Sequence, residues 1–220
     1  MNQVNRTVHH GIRIYSKALL SIYDLLVMRV LTPFIWRCPA ANYRDLYSRY
    51  MSPNHADIGV GTAYVLNQSR YQPGQVRIGL FDLQPNCLRY AARRLARYQP
   101  EIYQRNVLEA INIEAKGFDS VAMGGLLHCL PGDITQKAAA FDSIKSILNK
   151  NACLFGYTIL NQEIEKTWLS RCVYFILQKL KVINGVEDSP SQLKHELDKR
   201  FVHCNVRILG CVALFRAYKK

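Results

Sequence analysis

The sequence predicts an α/β domain built on a mostly parallel sheet with helices on both faces. Five short apolar runs recur between Ala56 and Ile159, separated by amphipathic stretches long enough to be crossover helices. The first run ends in a Gly-x-Gly turn, Gly59-Val60-Gly61, that opens a helix. The chain closes on two further runs joined at Gly210 with no room for a crossover, so these two must pair antiparallel as a hairpin.

In chain order, residues 12–31 come first, with fourteen of twenty positions apolar or Tyr. Arg13, Lys17, Ser21 and Asp24 recur at helical spacing and make one polar stripe on an apolar rod. Three charges along its middle turns exclude a bilayer span. The rod is read as a helix buried against the body, a lid over a hydrophobic substrate, or an interfacial helix in peripheral membrane contact through residues 12–37. A second helix runs from Ala40 to Met51 and stops at Ser52-Pro53. The strand candidates are Ala56–Val60, Val76–Phe81, Ile102–Val107, Phe118–Met123 and Ala152–Ile159. Helices are expected over Thr62–Gln68, Pro85–Tyr98, Asp133–Leu148 and Glu163–Lys181, with Gly185–Ser191 a polar loop. Phe201–Leu209 and Cys211–Tyr218 form the hairpin. Residues 1–54 are an N-terminal helical lid or cap and residues 55–220 the main body of what is structurally one domain.

Composition narrows the class. With 49% hydrophobic and 20% charged residues, the chain has the balance of a globular protein and wholesale disorder is excluded. Seven scattered cysteines, with no C-x-x-C pair and no zinc-ligand spacing, read as reduced, buried thiols of a cytoplasmic protein without a metal centre. The polar residues 1–11 lack the apolar core of a secretory signal. The net charge of +13 predicts attraction to nucleic acid, a lipid surface or an acidic small molecule, without choosing among them.

The stretch His55-Ala56-Asp57-Ile58-Gly59-Val60-Gly61-Thr62-Ala63 carries the chemistry. A dinucleotide fingerprint needs a third glycine where Tyr64 stands, which disfavours that ligand class. Asp57 suits a cofactor that presents a cation, such as the ammonium of an amino acid. Asp82, 23 residues after Gly59 at the end of the next strand, is placed to accept hydrogen bonds from ribose hydroxyls. The two acids together describe a ligand with a ribose and an amino-acid end.

From His55 to the C-terminus the chain resembles the class I S-adenosylmethionine-dependent methyltransferases. Asp57 to Ala63 is similar to their first motif, D-x-G-x-G-x-G, with Ala63 in place of the third glycine. Phe118-Asp119-Ser120-Val121, followed by a loop ending in Leu127-His128, resembles their fourth-strand motif. The resemblance implies a Rossmann-like, doubly wound sheet of order 3-2-1-4-5-7-6 with a reversed seventh strand. It implies S-adenosyl-L-methionine as cofactor, held by Asp57, Gly59, Gly61, Thr62, Asp82, Leu83, Asn106, Val107 and Gly124. Leu83 would pack on the adenine and Asn106 would meet its amino group.

Methyl transfer from a sulfonium is an in-line displacement, in which the protein mainly holds the acceptor aligned. His128 is the candidate base, or else a structural contact to the cofactor or the loop backbone. Where methyltransferases of nucleobase amines and glutamine amides carry [DN]-P-P-[YFW], this chain reads Met123-Gly124-Gly125-Leu126, which disfavours that acceptor class. Arg89, Arg93 and Arg97 share a helix face, read as solvated or as a nucleic-acid contact. Apolar and aromatic residues flank the motifs, with Tyr15, Tyr23, Phe34 and Trp36 before them and Trp168, Phe175 and Leu177 after. The expected acceptor is therefore a small hydrophobic or aromatic metabolite, methylated at oxygen or nitrogen, in a pocket including Tyr15, Tyr23 and Trp36, with Arg37 meeting an acidic group. An RNA methyltransferase and a non-catalytic binding module are the alternatives.

Overall fold

The computed structural model describes residues 24, 26–69, 76–114 and 116–220. Most of the helix expected over 12–31, with Tyr15 and Tyr23, lies outside them. The elements after the N-terminal segment are α1 (Ala40–Tyr50), β1 (Asn54–Ile58), α2 (Tyr64–Gln68), β2 (Arg77–Asp82), α3 (Pro85–Arg94) and β3 (Glu101–Gln104). Then come β4 (Phe118–Gly124), α4 (Ile134–Lys137), α5 (Ala139–Ile147), β5 (Leu148–Ile159), α6 (Trp168–Lys179), α7 (Pro190–Asp198), β6 (Val202–Leu209) and β7 (Val212–Tyr218).

The seven strands form one sheet in the order β3-β2-β1-β4-β5-β7-β6. The first five are parallel, and β7 runs antiparallel to both β5 and β6. This is the expected order, with the expected reversed strand. Central strands are apolar on both sides because helices cover both faces. One core layer gathers Phe118, Phe141, Ile144, Phe201 and Phe215, and the other gathers Trp36, Tyr43, Tyr47, Leu80, Leu88 and Phe155. Gly210 (φ 56°) turns the β6–β7 hairpin against the N-terminal segment. A Cβ there would lie 2.2 Å from the Trp36 carbonyl oxygen, and the next amide, Cys211 N–H, donates to that oxygen at 2.8 Å.

The structure departs from the sequence reading at several places, among them the helix expected from Glu163, which begins only at Trp168, and the helix expected to reach Tyr98, which ends at Arg94. The first helix does not stop at residue 31, because Val27–Ile35 is a π-helix that runs on through Pro33. The carbonyl of Met28, which a residue 33 amide would have served in π geometry, instead accepts the Thr32 hydroxyl at 3.0 Å. The third strand stops at Gln104 rather than Val107, since Asn106 caps its own turn by accepting the Leu108 N–H. The helix expected over Asp133–Leu148 is two helices meeting at Ala138, and β5 already begins at Leu148. The supposed loop after Gly185 leads into α7, whose start was legible in Ser189-Pro190: the Ser189 hydroxyl accepts from the Gln192 N–H, and Pro190 occupies the first turn.

Candidate active site

Parallel strands β1, β2 and β4 all end on one edge of the sheet, and a cavity of about 540 Å³ opens there. Asp57, Gly59, Gly61, Thr62, Asp82, Leu83, Asn106, Val107, Gly124, His128 and Trp36 all line it. Residues from four separate stretches of chain thus converge where a topological switch point favours a ligand. Arg37 does not line it. The residue leaves the π-helix with φ 53°, is exposed, and packs its backbone and Cβ on Gly210. The expectation that Arg37 meets the acceptor is corrected by that turn.

The glycine turn differs at its two ends. At Gly59 (φ +69°) an added Cβ would lie 2.7 Å from the Leu126 side chain, so the residue is small for the protein's own packing. At Gly61 (φ +52°) the nearest atom is 4.0 Å away, which leaves an open cradle against the backbone. Ala63 takes the same left-handed conformation (φ 55°) without being glycine. Asp82 lies beside the cradle. Its carboxylate accepts the Gly61 N–H at 3.1 Å and the Gln84 N–H at 2.8 Å. Burial raises its pKa, and backbone N–H groups of Gln84, Gly61 and Leu83 oppose that rise. The open cradle with its acid fits a ribose and leaves backbone donors for the adjoining groups. Asn106 is less free: its amide donates to Glu109 while its oxygen accepts from Leu108, so the neighbouring backbone is better placed for an adenine edge.

Asp57 is buried, and its Oδ2 accepts the Tyr47 hydroxyl at 3.1 Å. Burial pushes its carboxyl up to about 7, the Tyr47 hydrogen bond pulls it down, and the charge of Asp82 adds to the rise. A cationic ammonium at this position favours the ionised form. Ligand affinity is therefore expected to be level above about pH 7 and to weaken up to about tenfold per unit below it, as the proton has to be displaced. Calorimetry with S-adenosylhomocysteine across that range measures this, and a flat profile would refute the pairing of Asp57 with the ammonium.

Thr62 makes an internal contact. Its hydroxyl donates to Asp24 at 2.5 Å, and Arg94 binds both Asp24 Oδ2 and the Thr62 carbonyl at 2.8 Å. Arg94 also lies 4.9 Å over the Tyr90 ring. This clasp ties the N-terminal segment to the glycine turn. Arg97, in the 3-10 turn that follows α3, is likewise engaged, with the Asn67 side chain at 2.8 Å, so both arginines serve intramolecular contacts.

Beyond Gly124 the wall is apolar. Leu31, Trp36, Tyr43, Tyr157, Ile159, Leu177 and Ile183 line it, and Tyr43 stacks on Tyr157 at 4.0 Å. The sequence reading missed Tyr43 and Tyr47. Their spacing of four on α1 was a signal for a shared face, but it does not distinguish a pocket from a core. Of the apolar and aromatic residues expected after β5, Leu177 lines the cavity, whereas Trp168 and Phe175 face solvent, as does Phe34.

His128 sits on a short 3-10 turn at the cavity wall. Its Nδ1 lies 3.3 Å from both the Ile159 N–H, which donates to it, and the Thr158 hydroxyl. Burial, reinforced by the positive charge of Lys137, lowers its pKa to about 3. The ring is thus neutral, with its lone pair at Nδ1 turned to the backbone and its proton at Nε2. That favours the second of its two expected roles, orienting the loop, over that of a base. No group of three or more metal-ligating side chains occurs among the described residues.

Sheet order, reversed last strand, open glycine cradle and two acids define a class I methyltransferase. Residues 56–154 match the family described as methyltransferase domain. The chain is 34% identical over 215 residues to demethylluteothin O-methyltransferase of Streptomyces thioluteus, covering 98% of this chain and 94% of that one. It is 30% identical over 211 residues to the physcion biosynthesis cluster O-methyltransferase of Aspergillus chevalieri, covering 95% of each. Among solved structures it resembles N-methyltransferase NodS of Bradyrhizobium japonicum in complex with S-adenosylhomocysteine, with TM-score 0.61, 14% identity and 99% of both chains covered. The chain belongs to the S-adenosylmethionine-dependent methyltransferases. S-adenosylmethionine supplies a methyl group already activated on a sulfonium.

Proposed function

We propose that the chain methylates oxygen on a small, largely apolar or aromatic metabolite whose hydroxyl is conjugated to a ring or carbonyl. The apolar wall beyond Gly124 carries this reading. A conjugated hydroxyl ionises easily, which suits a site whose histidine is neutral and has its lone pair engaged. The protein's contribution is then orientation and exclusion of water, with Tyr43 and Tyr157 forming part of the apolar wall. The O-methyltransferase names of the relatives support the same acceptor atom. All seven cysteines are free thiols, which supports work in a reducing compartment such as the cytoplasm.

The test is methyl incorporation from labelled cofactor into a panel of apolar phenols and enols, aliphatic alcohols, aromatic amines and RNA. Phenols and enols are expected to turn over, with kcat/KM for alcohols at least about a hundredfold lower because their oxygen must be deprotonated by a stronger base. Turnover of amines or RNA with none of phenols and enols would overturn the proposal.

A further inference from the structure

The cavity mouth opens onto a surface unlike the rest of the molecule. Among the described residues eleven large apolar side chains are exposed, and eight of them belong to the π-helix, α6 and the residues bounding these two helices. Leu26, Val30 and Phe34 recur every fourth position on one face of the π-helix, with Phe34 71% exposed. On α6, Trp168 is 76% exposed and Phe175 58%. The two helices are fastened side by side, since the Ser170 hydroxyl donates to the Ile35 carbonyl at 2.6 Å and Trp36 meets Tyr174 edge-on. Their opposite faces are therefore left to solvent. Leu26 and Leu180, each at least half exposed, also line the cavity, so its rim lies on this surface.

The charges on these two segments have one sign. Arg29, Arg37, Arg171, Lys179 and Lys181 are exposed, and none of them forms an ion pair among the described residues. Residues 26–37 and 167–181 contain no Asp or Glu. Elsewhere some of the bases are paired, as at Arg94, Lys137 and Arg200. Exposed aromatic and aliphatic side chains interspersed with cations that form no ion pair are complementary to an interface whose depth is apolar and whose surface is anionic.

We propose that the π-helix and α6 dock the protein on an anionic phospholipid bilayer, with the cavity mouth facing the lipid. No described helix is long and apolar enough to cross the membrane, so the contact is peripheral. An apolar acceptor that partitions into the bilayer would then reach the cavity without passing through water. Docking itself needs no acceptor, which keeps its test independent of the reaction assigned above.

The experiment is co-sedimentation of the full chain with vesicles of phosphatidylcholine alone or with about one-third phosphatidylglycerol. Binding is expected only to the anionic vesicles and should weaken steeply with added salt. Trp168→Glu with Phe175→Glu, and separately Arg171→Glu with Lys179→Glu, are each expected to reduce the partition coefficient at least about tenfold. None of these four residues lines the cavity, so affinity for S-adenosylhomocysteine should be unchanged and reports that each variant is folded. Equal binding to both vesicle types, or wild-type binding by both double variants, would overturn the proposal. So would absence of vesicle binding together with self-association in sedimentation velocity that Trp168→Glu with Phe175→Glu abolishes, which would assign the surface to a second copy of the chain.

Discussion

Asp82→Ala is expected to weaken binding of S-adenosylhomocysteine at least about a hundredfold, roughly 3 kcal/mol, because two charge-assisted hydrogen bonds to the ribose would be lost. The same change releases the Gly61 and Gln84 N–H groups that the carboxylate now accepts, so the cradle itself loosens. Asp82→Asn separates the two effects. It keeps the shape and one acceptor oxygen but replaces the other with a donor facing an N–H, and an intermediate loss is expected. Calorimetry on both variants, with thermal unfolding as the control for the fold, reads the outcome. Near wild-type affinity in Asp82→Ala would refute the ribose assignment.

The second large effect lies beneath the acceptor wall. Lys137 and Asp188 form a hydrogen-bonded ion pair at 2.5 Å, and both side chains are wholly buried. Burial drives the lysine pKa down and the carboxyl pKa up, while their attraction opposes both shifts. Gly185 fits against the pair only because it lacks a Cβ, which would lie 2.0 Å from Asp188 Oδ2. The pair fixes the segment that lines the cavity at Ile183 and Asn184, and Asn184 in turn donates to the carbonyls of His128 and Cys129. Lys137→Met is expected to cost about 3 to 5 kcal/mol in urea unfolding, because an acid is left buried without its cation. Protonation of Asp188 limits the loss toward the lower figure at acid pH. Lys137→Met combined with Asp188→Leu should recover most of it, since neither charge then has to be desolvated. Single variants that cost less than about 1 kcal/mol would show that the pair is open to water.

Some of this was legible beforehand. The parallel sheet and its antiparallel end followed from alternating runs and from a hairpin too short for a crossover, whereas the strand order and the cofactor residues followed from the resemblance of the motifs at the strand ends to those of the methyltransferases. Helix α7 went unread because polar residues dominate its sequence, although Ser189-Pro190 marked its start. The first helix continues past residue 31 and through Pro33 for a specific reason: a proline ends a helix when the lost hydrogen bond has no substitute, and here Thr32 provides one. Arg94 follows Arg93 in the same basic stretch, and nothing local distinguishes the two. Only the approach of Asp24, seventy positions away, gave it a partner.

By itself the sequence determined the cofactor half. A strand, a glycine turn and two acids at strand ends are local features, and backbone geometry forces them to one edge of a parallel sheet. Only the tertiary structure decided the acceptor half. Tyr43, Tyr157, Leu177 and Ile183 are residues that any core would use, and they become a pocket wall only because long-range packing leaves a space between them. The same holds for charge: the excess of cations was plain from composition, but which cations lack a partner and lie together around exposed apolar side chains depends on how the helices pack.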